Sequence, residues 1–286
     1  MLFRVICLII YLVLTSTRVD ALEICGNVKQ GELILIKDDA QAKSVKLVSK
    51  GQNKQYKVDD SGIALVALHR DTPKKIELET ISANNKKAYY EIKVATQKWD
   101  IQHIKGVQQN KVTPSSKDGA AIRREQKDVN KAVIYYEPIK SWQQGFIIPV
   151  EGKISGQFGN QRIFNGVARN PHSGTDIAAT EGTSVKAAGN GKVVLSGKDY
   201  FYTGNMVIID HGYGLQTIYA HLRDIKVKEG DMVQKGDIIG TVGKTGRATG
   251  AHLHWGASLN NVRFNPYSLL DINNKQCYKV TEKGKI

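Results

Sequence analysis

The sequence predicts a mainly β protein with two domains joined by a partly helical linker. Its 286 residues are typical of about two domains. Hydrophobic residues make up 41% of the chain and charged residues 24%, which excludes wholesale disorder, a collagen-like fibre and a protein with many membrane spans. Short apolar runs separated by turn residues dominate the chain. Of the 27 glycines, 20 fall between Gly145 and Leu270, as expected for a domain with many tight corners.

Residues 1–21 are typical of a cleaved secretory signal. Arg4 precedes the ten apolar residues Val5–Leu14, and Val19 and Ala21 stand at the third and first positions before a cut after Ala21. A helix needs about 20 apolar residues to cross about 30 Å of hydrocarbon, so this run is too short for an ordinary membrane span. The sequence therefore predicts export. An uncleaved anchor or a buried helix is the alternative.

The cysteines fit an exported protein. Removal of residues 1–21 takes away Cys7 and leaves Cys25 near the start of the remaining chain and Cys277 near its end. An even pair in an oxidising compartment is typical of a disulfide. We expect Cys25 and Cys277 to tie the two ends together, with two unpaired thiols as the alternative.

The first domain is predicted to be a small antiparallel β-sandwich over residues 22–96. Runs of five to seven residues alternate with turn clusters rich in Asp, Asn, Gly and Lys, the pattern of such a fold. The predicted strands are Glu32–Ile36, Ser44–Ser49, Ile63–His69, Ile76–Ile81 and Tyr89–Ala95. His69 stands alone after an apolar run, so we interpret it as structural.

Residues 97–145 are predicted to form the partly helical linker. Pro114 opens and Pro138 closes a stretch in which apolar residues recur at roughly helical spacing as far as Tyr136. The basic face of this helix consists of Arg123, Arg124, Lys127 and Lys131. These residues form either a solvated face across the domain junction or a patch that binds an anionic polymer.

Residues 146–270 are predicted to form an all-β domain, followed by a C-terminal tail at 271–286. Short apolar runs between glycine turns indicate strands, and no long helical period interrupts them. The runs are Lys192–Leu195, Met206–Ile209, Gln216–Tyr219 and Ile238–Val242. The segment that begins at Val227 also resembles the hairpins of lipoyl and biotinyl carriers, but no lysine occupies the modification hairpin.

The chain is strongly basic, with 41 Lys and Arg against 27 Asp and Glu and a formal net charge of +14. Without residues 1–21 the charge is +13, since two arginines and one aspartate are lost. Such a charge favours a polyanionic partner, which could be nucleic acid, anionic lipid or an anionic cell-wall polymer. Nucleic-acid binding is disfavoured, because only 7% of the residues are aromatic and an export signal is predicted.

The histidines of the second domain indicate a metal site. His252 and His254 are two apart in a β-rich stretch, so both imidazoles project from one face of a strand, about 7 Å apart. One of them can bind a metal while the other works beside it. His172 and Asp176 fit a turn that leads into a strand. Two imidazoles and a carboxylate, with a fourth position left to water, form an open catalytic zinc site in which the metal lowers the pKa of the water.

The stretch from about Phe146 to Leu270 resembles the LytM/lysostaphin-like zinc endopeptidases of bacterial cell walls. The residues that carry the resemblance are His172–Asp176, Tyr219–Leu222 and His252–His254, with the supporting segments Gly182–Val193, Ile209–Gly214 and Val242–His252. The preceding β-domain is similar to the N-terminal regions of Gram-negative members. The resemblance implies a LytM-type domain in which an antiparallel β-sheet forms the floor of a groove.

The resemblance also implies roles for individual residues. Three ligands would hold one Zn²⁺ ion, namely His172, Asp176 and His254. His252 and His221 would flank the bound water, one as general base and the other stabilising or protonating the tetrahedral intermediate. We favour His252 as the base because its strand neighbour His254 is on the metal. His211 is not among the functional positions and is expected to support the turn that follows it.

The function implied by the resemblance is hydrolysis of peptide cross-links in peptidoglycan, with stem peptides as the substrate. A D,D-endopeptidase that cuts a D-Ala–diaminopimelate bridge in the periplasm of a Gram-negative bacterium is expected, with no nucleic-acid partner and membrane contact only during export. The alternative is a catalytically silent regulator that binds peptidoglycan or activates a cell-wall amidase. The complete set of ligands favours the enzyme. The N-terminal domain would either cover the groove or position a partner.

Overall fold

The computed structural model describes residues 21–38, 42–50 and 52–283. The signal segment predicted at 1–21 lies outside the described residues except for Ala21. Within the described ranges, no helix is both long enough and apolar enough to cross a membrane. The mainly β class predicted from the sequence is confirmed, since strands make up most of the regular structure.

The described residues form the following elements. Those of the first half are β1 (Ala21–Cys25), β2 (Leu33–Asp38), β3 (Ala42–Ser49), β4 (Gln52–Lys57), β5 (Ile63–Ala67), β6 (Lys75–Ser82), β7 (Lys87–Lys93), β8 (Ile101–Ile104), α1 (Gln109–Val112), α2 (Asp118–Val133) and a 3₁₀ helix at Ser141–Gln144. Those of the second half are β9 (Lys153–Gly156), β10 (Gln161–Phe164), β11 (Val167–Ala168), β12 (Gly174–Ala178), β13 (Ser184–Lys186), β14 (Gly191–Tyr200), β15 (Gly204–Asp210), β16 (Leu215–Ile225), β17 (Met232–Val233), β18 (Ile238–Val242), β19 (His252–Leu259), β20 (Val262–Phe264), a 3₁₀ helix at Pro266–Leu269 and β21 (Cys277–Thr281).

Two four-stranded antiparallel sheets form the N-terminal part, in the orders β21-β1-β2-β5 and β4-β3-β6-β7. Apolar side chains of both sheets, such as Leu33 and Leu78, are fully buried in one core. The five strands predicted here overlap β2, β3, β5, β6 and β7. Strand β4 does not follow the apolar pattern because one of its two buried residues is Gln52, whose amide nitrogen donates to the Ala67 carbonyl oxygen at 2.9 Å.

The segment predicted as a C-terminal tail contributes a strand to the N-terminal sheet. Strand β21 pairs with β1 along its length, and Cys25 stands directly opposite Cys277. The two cysteines form a disulfide across a sequence separation of 252 residues. The predicted disulfide is therefore confirmed, and it joins the first and last described strands.

The linker region contributes both a helix and a strand to the second domain. Strand β8 pairs in parallel with β10. Helix α2 buries Ala132 and Val133 against Met206, Ile208 and other apolar residues of the large sheet. The Asp118 carboxylate accepts hydrogen bonds from the backbone N–H and hydroxyl of Ser115, which fixes the chain just before the helix. The four basic residues of α2 are exposed, and their role as a polymer-binding patch stays a prediction.

A ten-stranded sheet forms the second domain, with the main order β17-β14-β15-β16-β19-β12-β9. One face carries Tyr219 and Trp255 and belongs to the large core shared with the N-terminal part. The other face carries Ile218 and Ala220, which pack beneath helix α2. Directly paired residues of antiparallel strands point to the same face, so His254, which pairs with Ala220, lies on the side covered by α2.

Candidate metal centre and active-site pocket

Strands β12 and β19 bring Asp176 and His254 together. The two residues are directly paired in the antiparallel register, so both side chains rise from the same face of the sheet. The Nδ1 atom of His254 lies 2.9 Å from Oδ1 of Asp176. Gly174 leaves room for the His254 ring, because a Cβ at this position would stand 2.8 Å from the ring nitrogen Nε2 and 2.5 Å from the Trp255 carbonyl oxygen.

The turn before β12 supplies the third donor. His172 is held by its own backbone, whose N–H donates to the Asn160 carbonyl at 2.9 Å and whose carbonyl accepts from the Gly159 N–H at 2.9 Å. Its Nε2 atom lies 3.0 Å from Oδ1 of Asp176 and 3.0 Å from Nδ1 of His254. Three donor atoms on three buried or half-buried side chains thus converge on one point.

The protonation state of His172 shows that this donor set fits a cation. Its Nδ1 lies 2.9 Å from the Gln157 carbonyl oxygen, which can only accept, so Nδ1 carries the proton and Nε2 presents a lone pair. That lone pair faces the carboxylate oxygen of Asp176, and two acceptors at this distance repel each other unless a positive charge lies between them. Burial lowers the pKa of His172, which disfavours a second proton on the ring. Two imidazoles and one carboxylate are ligands typical of an open zinc site.

Arg162 neutralises one of the two carboxylate oxygens of Asp176. The guanidinium forms an ion pair with Oδ2, while Oδ1 faces the two histidines. The carboxylate is therefore ionised, with one oxygen left for a metal ion.

His252 lies on the same face of the sheet as His254, two residues earlier in β19. Its Nδ1 donates to the Gly250 carbonyl oxygen at 2.9 Å, which leaves the lone pair of Nε2 free. Nε2 lies 3.8 Å from Oδ1 of Asp176, beyond the triangle of donors but beside it. The geometry therefore places His252 next to the metal position rather than in it.

His221 reaches the site through an unusual backbone conformation. Strict alternation along β16 would send its side chain to the face of Tyr219, away from the other histidines. Its φ of 62°, in the left-handed region that residues other than glycine seldom adopt, breaks this alternation. The ring instead lies 4.8 Å from that of His252, measured between centroids, and its Nδ1 donates to the Thr245 carbonyl at 2.8 Å. Burial lowers the pKa of His221 to about 3, so the ring is neutral at neutral pH.

Three of these histidines line an open pocket of about 510 Å³. His172, His221 and His254 form part of its wall, and the segment from Val112 to Gln126 supplies part of its rim. No described residue of the N-terminal sandwich lines this pocket. The linker, rather than the sandwich, therefore borders the site.

His211 lies apart from this cluster. It is fully buried beneath its turn, with Nδ1 donating to the Asn190 carbonyl at 2.7 Å and Nε2 lying 2.7 Å from the Thr217 hydroxyl. Its ring packs edge-on against Phe146 at 4.9 Å. These contacts are those of a structural residue and support the turn Asp210–Gly214.

Buried His211 is expected to destabilise the protein in mild acid. Burial lowers its pKa to about 4, whereas a histidine of the unfolded chain has a pKa of about 6.5. The unfolded state therefore binds more protons in this window, and stability is lost as the pH falls from about 6.5 to about 4. Between pH 7 and pH 5 the contribution is about 2 kcal/mol. Urea unfolding of His211→Gln should show a pH dependence weaker by this amount.

A second variant isolates the effect of burial. Other buried histidines titrate in the same window, so only the difference between wild type and variant is diagnostic. His69→Gln removes a histidine with an exposed side chain and controls for the loss of one imidazole from the chain. An equal pH dependence in wild type and His211→Gln would contradict the structural role assigned to this ring.

Comparisons with known proteins agree with this arrangement. The sequence model of peptidase family M23 matches residues 170–266, which contain the three donors and both neighbouring histidines. The chain is also similar to a crystal structure of a candidate M23 peptidase from Pseudomonas aeruginosa, with 30% sequence identity and a TM-score of 0.66. The superposition covers 86% of this chain and 96% of the Pseudomonas chain. The chain belongs to peptidase family M23. The predicted resemblance is thereby confirmed, and it extends across both domains.

Curated M23 relatives match only part of this chain. The DD-carboxypeptidase/endopeptidase Mpg of Neisseria meningitidis is 45% identical over 98 residues, which are 34% of this chain and 22% of that protein. The peptidoglycan DD-endopeptidase ShyA of Vibrio cholerae is 44% identical over 110 residues, 37% of this chain and 25% of that protein. This M23 chain thus spans about a quarter of the length of the curated relatives that it matches.

Three arginines of the M23 pocket were missed by sequence analysis. Arg162, Arg169 and Arg247 line the same pocket as the histidines. They come from separate segments, and their spacing carries no signal. Arg247 lies within the segment Val242–His252, between two glycines. Its place in this glycine-rich segment was the signal that could have indicated a role in the pocket.

Proposed function

We propose that this M23 protein is a zinc-dependent peptidoglycan hydrolase that cleaves peptide cross-links as a D,D-endopeptidase. The observation that carries the proposal is the convergence of one nitrogen of His172, one of His254 and one oxygen of Asp176, each about 3 Å from the others, in an open pocket. The names of two relatives, a peptidoglycan DD-endopeptidase and a DD-carboxypeptidase/endopeptidase, support peptidoglycan as the substrate.

In this proposal His172, Asp176 and His254 hold the zinc ion. When bound, the ion would supply Lewis-acid chemistry that acidifies water and polarises an amide carbonyl. The ion pair with Arg162 and the hydrogen bond from His172 to Gln157 keep two of the donor side chains oriented.

The two neighbouring histidines have different roles in this mechanism. The free lone pair on Nε2 of His252 accepts a proton from the attacking water as the oxygen–carbon bond forms. His252 then passes this proton to the departing amine, while His221, neutral and anchored through Nδ1 to Thr245, stabilises the tetrahedral intermediate by accepting a hydrogen bond from its hydroxyl at Nε2. When the carbon–nitrogen bond breaks, the products are a free carboxylate and a free amine.

We also propose that the protein works in the periplasm of a Gram-negative bacterium. The signal-like segment 1–21 and the disulfide between Cys25 and Cys277 support this location, since disulfides persist in oxidising compartments. The charge of +13 after removal of that segment would hold the protein near anionic envelope polymers, an effect that salt should screen.

The test is mass spectrometry of cross-linked muropeptides incubated with the zinc-loaded protein. Cross-linked dimers are expected to become monomers, with new termini at the D-Ala carboxyl and the diaminopimelate amine. A chelator should abolish the conversion, and added zinc should restore it. If the protein binds one zinc ion and cleaves no dimer, the alternative of a silent regulator that binds peptidoglycan or activates an amidase replaces this proposal.

A further inference from the structure

The wall of the active-site pocket carries three guanidinium groups close to one another. Arg162, Arg169 and Arg247 all line the cavity that contains His172, His221 and His254. Arg162 is neutralised by Asp176. Within the described residues, no ion pair joins Arg169 or Arg247 to a carboxylate. The pocket therefore contains two cations without an anionic partner.

Arg247 is fixed in place although it has no acidic partner. Its guanidinium carbon lies 4.5 Å from the ring centroid of Phe164 and 4.5 Å from that of Tyr202, so it is clamped between two aromatic faces. Burial lowers the pKa of Arg247, and the nearby Arg162 and Arg169 lower it further. Cation–π contacts offset only part of the free energy lost on removing a guanidinium from water. A bound anion would offset the rest.

Arg169 is held at the rim by the linker. Its guanidinium donates to the Val112 carbonyl and lies 3.4 Å from the Thr113 hydroxyl oxygen. Its Nε atom is buried without a hydrogen-bond partner among the described residues. A buried donor of this kind is costly to leave unpaired, which again indicates a ligand with acceptor oxygens.

Arg247 is connected to the segments that hold His221. The backbone N–H of Arg247 donates to the Tyr202 carbonyl at 2.8 Å, and the backbone N–H of His221 donates to the carbonyl of the next residue, Thr203, at 2.9 Å. The Nδ1 atom of His221 donates to the carbonyl of Thr245, two residues before Arg247. The arginine and its aromatic clamp thus lie on the His221 side of the pocket, beside the space in which the scissile amide is cleaved in the proposed mechanism.

We propose that Arg247, assisted by Arg169, binds a free carboxylate on the substrate residue that supplies the departing amine. This inference rests on the proposed function and deepens it, because it specifies the substrate class. A D-amino acid whose amine is in the scissile bond carries its α-carboxylate next to that bond, whether it is the D-centre of diaminopimelate in a cross-link or a terminal D-Ala. A planar guanidinium pairs with such a group through two parallel hydrogen bonds.

The test compares two substrates that differ in one group. The first is a cross-linked stem-peptide dimer with a free α-carboxylate beside the scissile amide, and the second is the same dimer with that carboxylate converted to an amide. The wild-type protein is expected to prefer the first by about 10- to 100-fold in kcat/KM, the range of a charge-assisted hydrogen-bonded pair. In Arg247→Gln the ratio of the two kcat/KM values should fall to near one, while zinc content measured by atomic absorption stays at one ion.

Control variants separate binding from structure. Arg124→Gln removes the same charge from the exposed face of α2, outside this pocket, and should keep both the rate and the preference. Arg247→Lys keeps the cation between the two rings without the planar fork, and an intermediate preference is expected even if the glutamine variant fails to fold.

The outcomes are distinguishable from failure of the proposed function. If the zinc-loaded wild type cleaves neither dimer, the proposed function fails. If it cleaves both dimers at equal rates, the function stands and the carboxylate site is wrong. A preference that persists in Arg247→Gln or is unchanged in Arg247→Lys would also overturn the assignment.

Discussion

Replacement of His254 by alanine is expected to remove both the metal and the hydrolytic activity. His254 contributes one of three donors, and its loss leaves only the His172 nitrogen and the Asp176 oxygen to hold a metal ion. Without the metal, the attacking water keeps a pKa of about 15.7 instead of about 7, so a loss of several orders of magnitude in kcat is expected. Muropeptide turnover and zinc content should be measured on the same preparation.

The matched variant His252→Ala should separate catalysis from metal binding. Its ring lies beside the donors, with Nε2 3.8 Å from Asp176 Oδ1, so zinc content is expected to stay at one ion. Loss of a general base lowers kcat by about 10²- to 10⁴-fold. His69→Ala, in the N-terminal sandwich, should leave turnover and zinc content unaltered. Equal zinc loss in the His252 and His254 variants would refute this division of roles.

Removal of the disulfide is expected to cause a large loss of stability. Cys25 and Cys277 close a loop across 252 residues, and cross-linking so long a loop stabilises the folded state by about 5 kcal/mol when it restricts the unfolded chain alone. The double variant Cys25→Ala/Cys277→Ala should therefore unfold at much lower urea concentration than the oxidised protein. Reduced wild type provides the control and should behave like the double variant. An unchanged unfolding midpoint in both would contradict the expected effect.

The core of the candidate site could be predicted because its residues follow simple periodicities. His252 and His254 share a face since strand residues alternate, and His172 precedes β12 by a turn. The position of His221 could not be derived in this way. Its side chain reaches the pocket only because φ at this residue is positive, and the spacing of residues in a sequence does not predict such a conformation. The resemblance to the family, rather than periodicity, pointed to it.

Long-range pairing explains what sequence analysis missed in the fold. The apolar runs of the first domain predicted five strands, but β8 and β21 are short and mostly exposed, so they carry little hydrophobic signal. Each strand is defined by a distant partner, β10 for β8 and β1 for β21. The domain limits drawn from composition therefore separate strands that pair with one another. The arginines of the pocket were missed for the same reason, because only the fold brings Arg162 and Arg247 together.

The pairing of β1 with β21 also sets an order of events during synthesis. Strand β1 emerges early, but its neighbour at the sheet edge is complete only once Thr281 has been made. Until then one edge of β1 lacks its partner and Cys25 lacks its bonding thiol. Because contacts between distant residues form slowly, we expect the catalytic sheet to assemble before the N-terminal sandwich closes. Pairing of β21 with β1 would thus complete the N-terminal sheet after the larger sheet has formed.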